Sequence, residues 1–200
     1  MALLQTIHLE HLPTPYQLHI ALYHNVQNAA FLHQQLLTGN TDYEYALIDA
    51  SLVLSRVHIL AAAYRAINDM QENRLRTRNI SESFRRFGIT ASTASLLVLK
   101  LSTPTSPFPA ADVQVHLASS VTGDQVAFTD QVLEKMTDVA RVKKIYKANG
   151  GAGGKGRERG HVGGNGTKVS VQSEVGEAER ERRELEVLVL GAMALRSLTN

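Results

Sequence analysis

Two hundred residues with 44% apolar and 20% charged side chains are enough for one domain with a proper core. The absence of cysteine excludes disulfides, thiolate zinc centres and cysteine nucleophiles, and suits a reducing cytosolic or nuclear compartment. The net charge of +2 is unevenly spread: acids prevail up to Asp69, Arg74 to Lys100 holds six bases against Glu82, and Lys135 to Lys168 adds nine against Asp138 and Glu158.

Residues 1–15 show no basic segment ahead of an apolar patch and no small-residue cleavage site, so export is not expected. Gln17 to Tyr23 alternates, Leu18, Ile20 and Leu22 against His19, which predicts a half-buried strand. Asn25 is placed to cap a helix through Val26, Ala30, Leu32 and Leu36 that stops at Gly39-Asn40, and Tyr45 to Ile48 reads as a second short strand.

Asp49 or Ser51 opens the longest predicted helix. It carries two apolar stripes, Val53, Val57, Leu60, Tyr64 and Ile67, and Leu52, Ile59, Ala63, Ala66 and Met70, with Ser51, Ser55, His58, Arg65 and Asp69 on the wet side. A helix apolar over so much of its circumference is expected to be buried on two sides. Neither it nor Leu185 to Leu195 is long and uncharged enough to span a bilayer, and the chain reads as soluble.

Arg74 to Ile89 groups Arg74, Arg76, Arg78, Arg85 and Arg86 beside a short predicted helix, with Asn79 and Glu82 as a capping box and Gly88 as a left-handed C-terminal cap. The clustering makes these five arginines candidate phosphate contacts. Ser95 to Leu101 follows as an apolar strand, and Pro104, Pro107 and Pro109 make an extended surface loop. Helices are predicted over Ala110 to Ala118 and from a Thr129 cap through Leu133 and Met136 on to Ile145 and Tyr146. These elements divide the chain into a core over 1–148, a Gly-rich, charged, disordered insert over 149–183, and a C-terminal helix over 184–200 that completes the core.

No motif marks an active site. The glycine-rich stretch around Lys155 fails as a phosphate-binding loop, because Asn149 and Gly156 stand where a glycine and a hydroxyl residue are required. His8 and His11 lack partner ligands and sit among prolines, the other histidines are scattered singly, and His58 has no nucleophile to serve. No metal and no cofactor is expected, and a binding module is favoured over an enzyme.

Asn79 to Ile89 with the strand Leu96 to Leu101 resembles the hallmark of the PRPK-binding protein family, the small subunit of the KEOPS (EKC) complex, in its fungal form. Asn28-Ala29-Ala30, Ala46 to Ala50, Thr137 to Ala140, Lys143 to Lys147 and Gly191 to Leu195 agree with it in order. The resemblance implies an α+β domain with a small central mixed or antiparallel sheet packed with several helices. It implies a non-catalytic subunit that binds and stimulates the kinase-like ATPase of the complex, and contacts tRNA during threonylcarbamoyl modification of the adenosine beside the anticodon. A role in telomere maintenance, and residence in nucleus and cytoplasm, follow from the same resemblance.

On that reading Arg74, Arg76, Arg78, Arg85 and Arg86 are the tRNA candidates, and Ile89, Leu188, Ala192, Met193 and Leu195 the candidates for the kinase-like subunit. A stand-alone RNA-binding protein is the alternative. One departure matters: between Arg78 and Ile80 the family carries a longer segment with an apolar strand, and here only Asn79 stands, which implies a sheet short of one strand.

Overall fold

The computed structural model describes residues 3–10, 12, 16–72, 74, 87–146 and 171–196, the last segment with side chains at 176 and 179–194. The fold is α+β and falls into two compact units, Met1–Asp138 and Val139–Asn200. Among the described residues of the first unit five strands, β1 (Gln5–Ile7), β2 (Gln17–His24), β3 (Ala46–Asp49), β4 (Leu96–Ser102) and β5 (Asp124–Val126), form one antiparallel sheet. Four helices serve it: α1 (Ala29–Leu37), α2 (Arg56–Gln71), α3 (Ala110–Ser120) and α4 (Asp130–Met136). The second unit holds α5 (Val139–Tyr146) and α6 (Val171–Arg196).

The spine of the sheet is β2 against β4, seven pairs in register from Gln17↔Ser102 to Tyr23↔Leu96. β1 meets Leu18 to Ile20 and β5 meets Leu22 to His24, so the two short strands share the other edge of β2. β3 pairs with the far side of β4, which puts α1 in a crossover from β2 to β3.

Helices cover both faces. Leu18, Ile20, Leu22, Leu97 and Leu99 pack with Ile59, Ala63, Ala66 and Ile67 of α2 and with Phe128 and Leu133; Ala21, Tyr23, Leu96 and Val98 pack with Ala29 and Leu32 of α1 and Val113 and Leu117 of α3. β2 is therefore buried on both sides and not half-buried as its alternation suggested, and His19 is 1% exposed.

Turn chemistry sets the element ends. Gly39, with φ +67°, closes α1 through Gly39 N–H to Leu36 O (3.2 Å) and Asn40 N–H to Gln35 O (3.1 Å), a Schellman pair at the position expected. The cap at the other end is Asn28, not Asn25. Asn25 takes a left-handed φ of 52°, which asparagine tolerates, and its side chain bonds Asp124. Asn28 spends its amide across the fold instead, donating to Ser120 O (2.8 Å) and accepting from Thr122 N–H (3.0 Å).

The longest helix of this unit starts later than its pattern suggested. Asp49 accepts from Ser51 N–H (3.0 Å) and caps a single 3-10 turn, Ala50–Leu52; buried Val53 is extended, buried Leu54 follows, and Ser55, also extended, accepts from His58 N–H to open α2. Asp130 reaches across to accept from Arg56 N–H (2.7 Å), which satisfies another first-turn amide. Only one side of α2 is buried. Val57 is 56% exposed and Tyr64 36%, while His58, expected in water, is buried.

His58 is buried because its Nδ1 accepts the Leu54 N–H (3.2 Å) while its ring meets Phe87 edge-on. Burial lowers its pKa from 6.5 to about 4. The unfolded chain binds this proton more readily, so the stability contributed by neutral His58 is complete above pH 6.5 and is lost as pH falls toward 4. Urea unfolding at pH 7.5 and pH 4.5 is expected to show about 2–3 kcal/mol of pH-dependent loss that His58→Asn, whose amide oxygen replaces the acceptor, does not share. Equal losses in both proteins would refute this assignment.

α4 ends where Thr137 Oγ1 donates to Val53 O and Leu133 O, both at 2.7 Å, and Asp138 N–H bonds Ser51 O (2.8 Å). The run expected as one helix from Thr129 to Tyr146 is thus two. α6 begins at Val171, thirteen residues ahead of the start expected at Glu184. The charged stretch favours this extension: glutamate and arginine are good helix formers, and Arg180 pairs with Glu184 four residues on (3.0 Å).

Candidate partner-binding surfaces

The arginine-rich segment enters the described structure only at its two ends. Arg74 leaves the C-terminus of α2, its N–H bonded to Asp69 O (2.8 Å). Its guanidinium pairs with Glu72 and lies 3.6 Å from Asp69, which also takes Arg65 at 3.6 Å. Two bases and two acids balance there, so a phosphate reaching Arg74 must displace carboxylates; for such exposed pairs this costs about 1 kcal/mol or less. Arg76, Arg78, Arg85 and Arg86, with the short helix expected over Asn79 to Arg86, lie outside the described residues.

At the segment's other end the chain returns to the sheet. Gly88, expected as a left-handed cap, forms an antiparallel bridge with Ile48, and Ile89 N–H bonds Leu47 O (3.3 Å). Among the described residues these are the contacts along the outer edge of β3, a bridge where a full strand would pair as a ladder. Ile89 is 4% exposed and packs with Leu47, Tyr45 and Leu96, so its side chain belongs to the core, with little left for a partner.

The other candidates share α6. Leu185 and Val189, four apart, are buried, with Arg182, Ala192 and Met193 half-buried on the same side. Within this unit Lys143 of α5 pairs with Glu181, and Val142 is fully buried. The opposite side of α6 is apolar and wet: Val187 is 71% exposed and Leu188 47%, Gly191 is exposed with nothing within 4 Å of where a Cβ would stand, and Ala194 is exposed. Positions 187, 188, 191 and 194 share one helix face. Leu188 thus lies on the open face, Ala192 and Met193 on the shielded one, and the side chain of Leu195 lies outside the described residues. Gly191 and Ala194 were expected to let another backbone come close, whereas Val187 was missed; the i, i+4, i+7 spacing of 187, 191 and 194 was the available signal.

Three buried polar side chains of the sheet and its flank, His19, Lys100 and Tyr45, are taken up by the fold. A row across the sheet sets Thr6 beside His19 and His19 beside Lys100. The His19 ring bonds Thr6 Oγ1 (2.9 Å) and Phe108 O (2.8 Å); its pKa is lowered by burial above all, against the opposing pull of the Phe108 carbonyl. Lys100 donates to Glu44 O (2.7 Å), with its ammonium 4.0 Å from the centre of the Phe108 ring and 5.1 Å from that of Tyr45. Desolvation lowers its pKa, and Glu44 partly restores it. The Tyr45 hydroxyl, pushed up to about 12 chiefly by burial, bonds His116 Nδ1 (2.8 Å). Each of these groups holds a partner inside the fold, which is structural work. Among the described residues no three His, Asp or Glu side chains gather to hold a metal ion, and no helix is long and apolar enough to cross a membrane.

The sequence profile of the family described as kinase binding protein CGI-121 matches residues 23–197. The chain is 45% identical over 211 positions to the EKC/KEOPS complex subunit cgi121 of Aspergillus terreus and 42% over 210 to that of Aspergillus fumigatus, covering 98% of each chain in both cases. It is 30% identical to the EKC/KEOPS complex subunit cgi121 of Schizosaccharomyces pombe over 66% of this chain and 82% of that one. An alignment of 211 positions on 200 residues opens gaps in this chain, so the Aspergillus terreus protein carries residues that are absent here.

Proposed function

The chain belongs to the kinase binding protein CGI-121 family, and from that premise we propose that it is a non-catalytic accessory subunit of an EKC/KEOPS-type complex that docks on the complex's kinase-like ATPase subunit and stimulates it. The observation that carries this reading is the wet apolar face of α6, Val187, Leu188 and Gly191, on a helix otherwise rich in charge. An exposed apolar stripe loses favourable burial until a partner covers it, and a glycine lets the partner's backbone come close.

The arginine-rich segment extends the proposal to tRNA: Arg74, Arg76, Arg78, Arg85 and Arg86 supply phosphate contacts while the assembly installs threonylcarbamoyl beside the anticodon. Work in both nucleus and cytoplasm, and a part in telomere maintenance, belong to the same proposal.

The test mixes the full chain with the purified kinase-like subunit and with tRNA. A stable complex by size exclusion, and ATP hydrolysis faster than that of the kinase-like subunit alone, are expected. In filter binding at rising salt, Arg85→Ala with Arg86→Ala should flatten the log–log salt slope by about 2. Deleting 150–170, ahead of α6, should leave the protein complex intact. If no complex forms, or if that deletion alone removes RNA affinity while the kinase-like subunit never binds, the stand-alone RNA-binding reading replaces this one.

A further inference from the structure

The loop between β4 and α3 is used neither by the partner surfaces nor by the core, except where Phe108 covers Lys100 and its carbonyl bonds His19. We propose that Ser106 is a phosphorylation site for a proline-directed serine/threonine kinase, an enzyme distinct from the kinase-like partner. Three Ser/Thr-Pro steps occur in the sequence, Thr14-Pro15, Thr103-Pro104 and Ser106-Pro107, and only Ser106 also has a proline two residues before it, Pro104.

Proline after the acceptor carries a physical meaning. It has no N–H, so an apolar pocket for the next residue takes it without cost, while any other residue leaves a buried amide unpaired there. Pro104, Pro107 and Pro109 also bias the segment toward the extended form that a substrate cleft binds.

The structure separates Ser106 from its neighbours. Residues 104–107 are exposed. Thr103 Oγ1 is engaged, accepting from Ser106 N–H (3.1 Å) and lying 3.2 Å from Thr105 Oγ1, so both threonine hydroxyls are occupied. Ser106 Oγ has no hydrogen-bond partner among the described residues; Ser106 enters the turn through its backbone, with Thr103 N–H to Ser106 O at 3.1 Å and Ser106 N–H to Thr103 O at 3.2 Å beside its bond to Thr103 Oγ1. Three hydrogen bonds, two of them sharing the Ser106 N–H, on an exposed turn open at little cost, which lets the segment extend into a cleft. No acidic side chain stands between Thr103 and Ala111, so nothing in the loop repels the incoming charge.

In the reaction Ser106 Oγ attacks the γ-phosphorus of ATP as the bond to the β-phosphate oxygen breaks. ADP leaves, the hydroxyl proton passes to the enzyme's base, and Ser106 gains a phosphate of charge near −2.

The experiment incubates the full chain with a purified mitogen-activated protein kinase and magnesium ATP, then maps phosphate by mass spectrometry. One phosphate on Ser106 is expected, absent in Ser106→Ala, incorporated about tenfold to a hundredfold more slowly in Pro107→Ala, and undiminished in Thr103→Ala, where the turn is freed. Equal incorporation by Ser106→Ala, or a folded chain that takes no phosphate while the same enzyme modifies a control substrate, overturns the proposal.

Discussion

Leu188→Glu, alone or with Val187→Glu, is expected to abolish co-purification with the kinase-like subunit and to leave the fold intact. Both side chains stand in water on α6, 47% and 71% exposed, so the change should move stability by no more than about 0.5 kcal/mol. In a complex the same carboxylate would be buried against an apolar partner without a counter-charge, at a cost of about 3–5 kcal/mol, a hundredfold or more in affinity. Urea unfolding and size exclusion with the kinase-like subunit read the two effects separately. Leu185→Glu gives the contrast: that side chain is buried, and the variant should loosen the part of α6 it anchors. Wild-type complex formation by Leu188→Glu would remove the open face of α6 from the interface.

Much of the sheet was legible in the sequence because its signals are local. The apolar runs of β2 and β4 and the Gly39-Asn40 stop were each found within a residue or two, since a strand run and a left-handed glycine are visible in a short window. β1 and β5 were not found. Three residues each are too few to show a period, and both exist because β2 offers an edge to pair with.

Burial of the polar residues was illegible for a related reason. His19 and Lys100 lie in strands whose alternation turns them outward by default; their partners, Phe108 O and Glu44 O, stand 89 and 56 residues away in the chain. α2 shows what period analysis leaves open: of its two apolar stripes the fold buries the one with Ile59, Ala63 and Ala66, adds Ile67, and leaves Val57 and Tyr64 wet.

The surfaces divide in the same way. Clustering found the arginines as a group, yet the neutralising carboxylates of Asp69 and Glu72 around Arg74 come from the end of α2, where Asp69 was expected only as part of the helix's wet side. The apolar residues of α6 were found together, and the helical period already sets Leu188 and Met193, five positions apart, on different faces; which face is shielded needed the helix's neighbours.

Phe128→Ala is expected to produce the largest loss of stability of any single truncation proposed, about 3–5 kcal/mol against a total of about 5–15 for a domain of this kind. Phe128 is 0% exposed in the cluster that also holds Leu22, Ile59 and Leu133, with the Arg56 guanidinium 5.3 Å from its ring centre and its carbonyl accepting from Gln5 Nε2 (3.3 Å). It joins β5 to α4, and the two residues that follow it carry structural bonds: Thr129 caps α4, and Asp130 accepts the first amide of α2. Truncation therefore opens a cavity and loosens the starts of two helices together. Phe128→Leu, which keeps most of the volume, should lose less than about 1.5 kcal/mol. Urea unfolding at pH 7.5 reads both as a lower midpoint with an unchanged slope. Near-equal losses for the two variants would mean that the ring does not fill this core, and that the link between β5, α4 and the start of α2 is held by Asp130 and Thr137 alone.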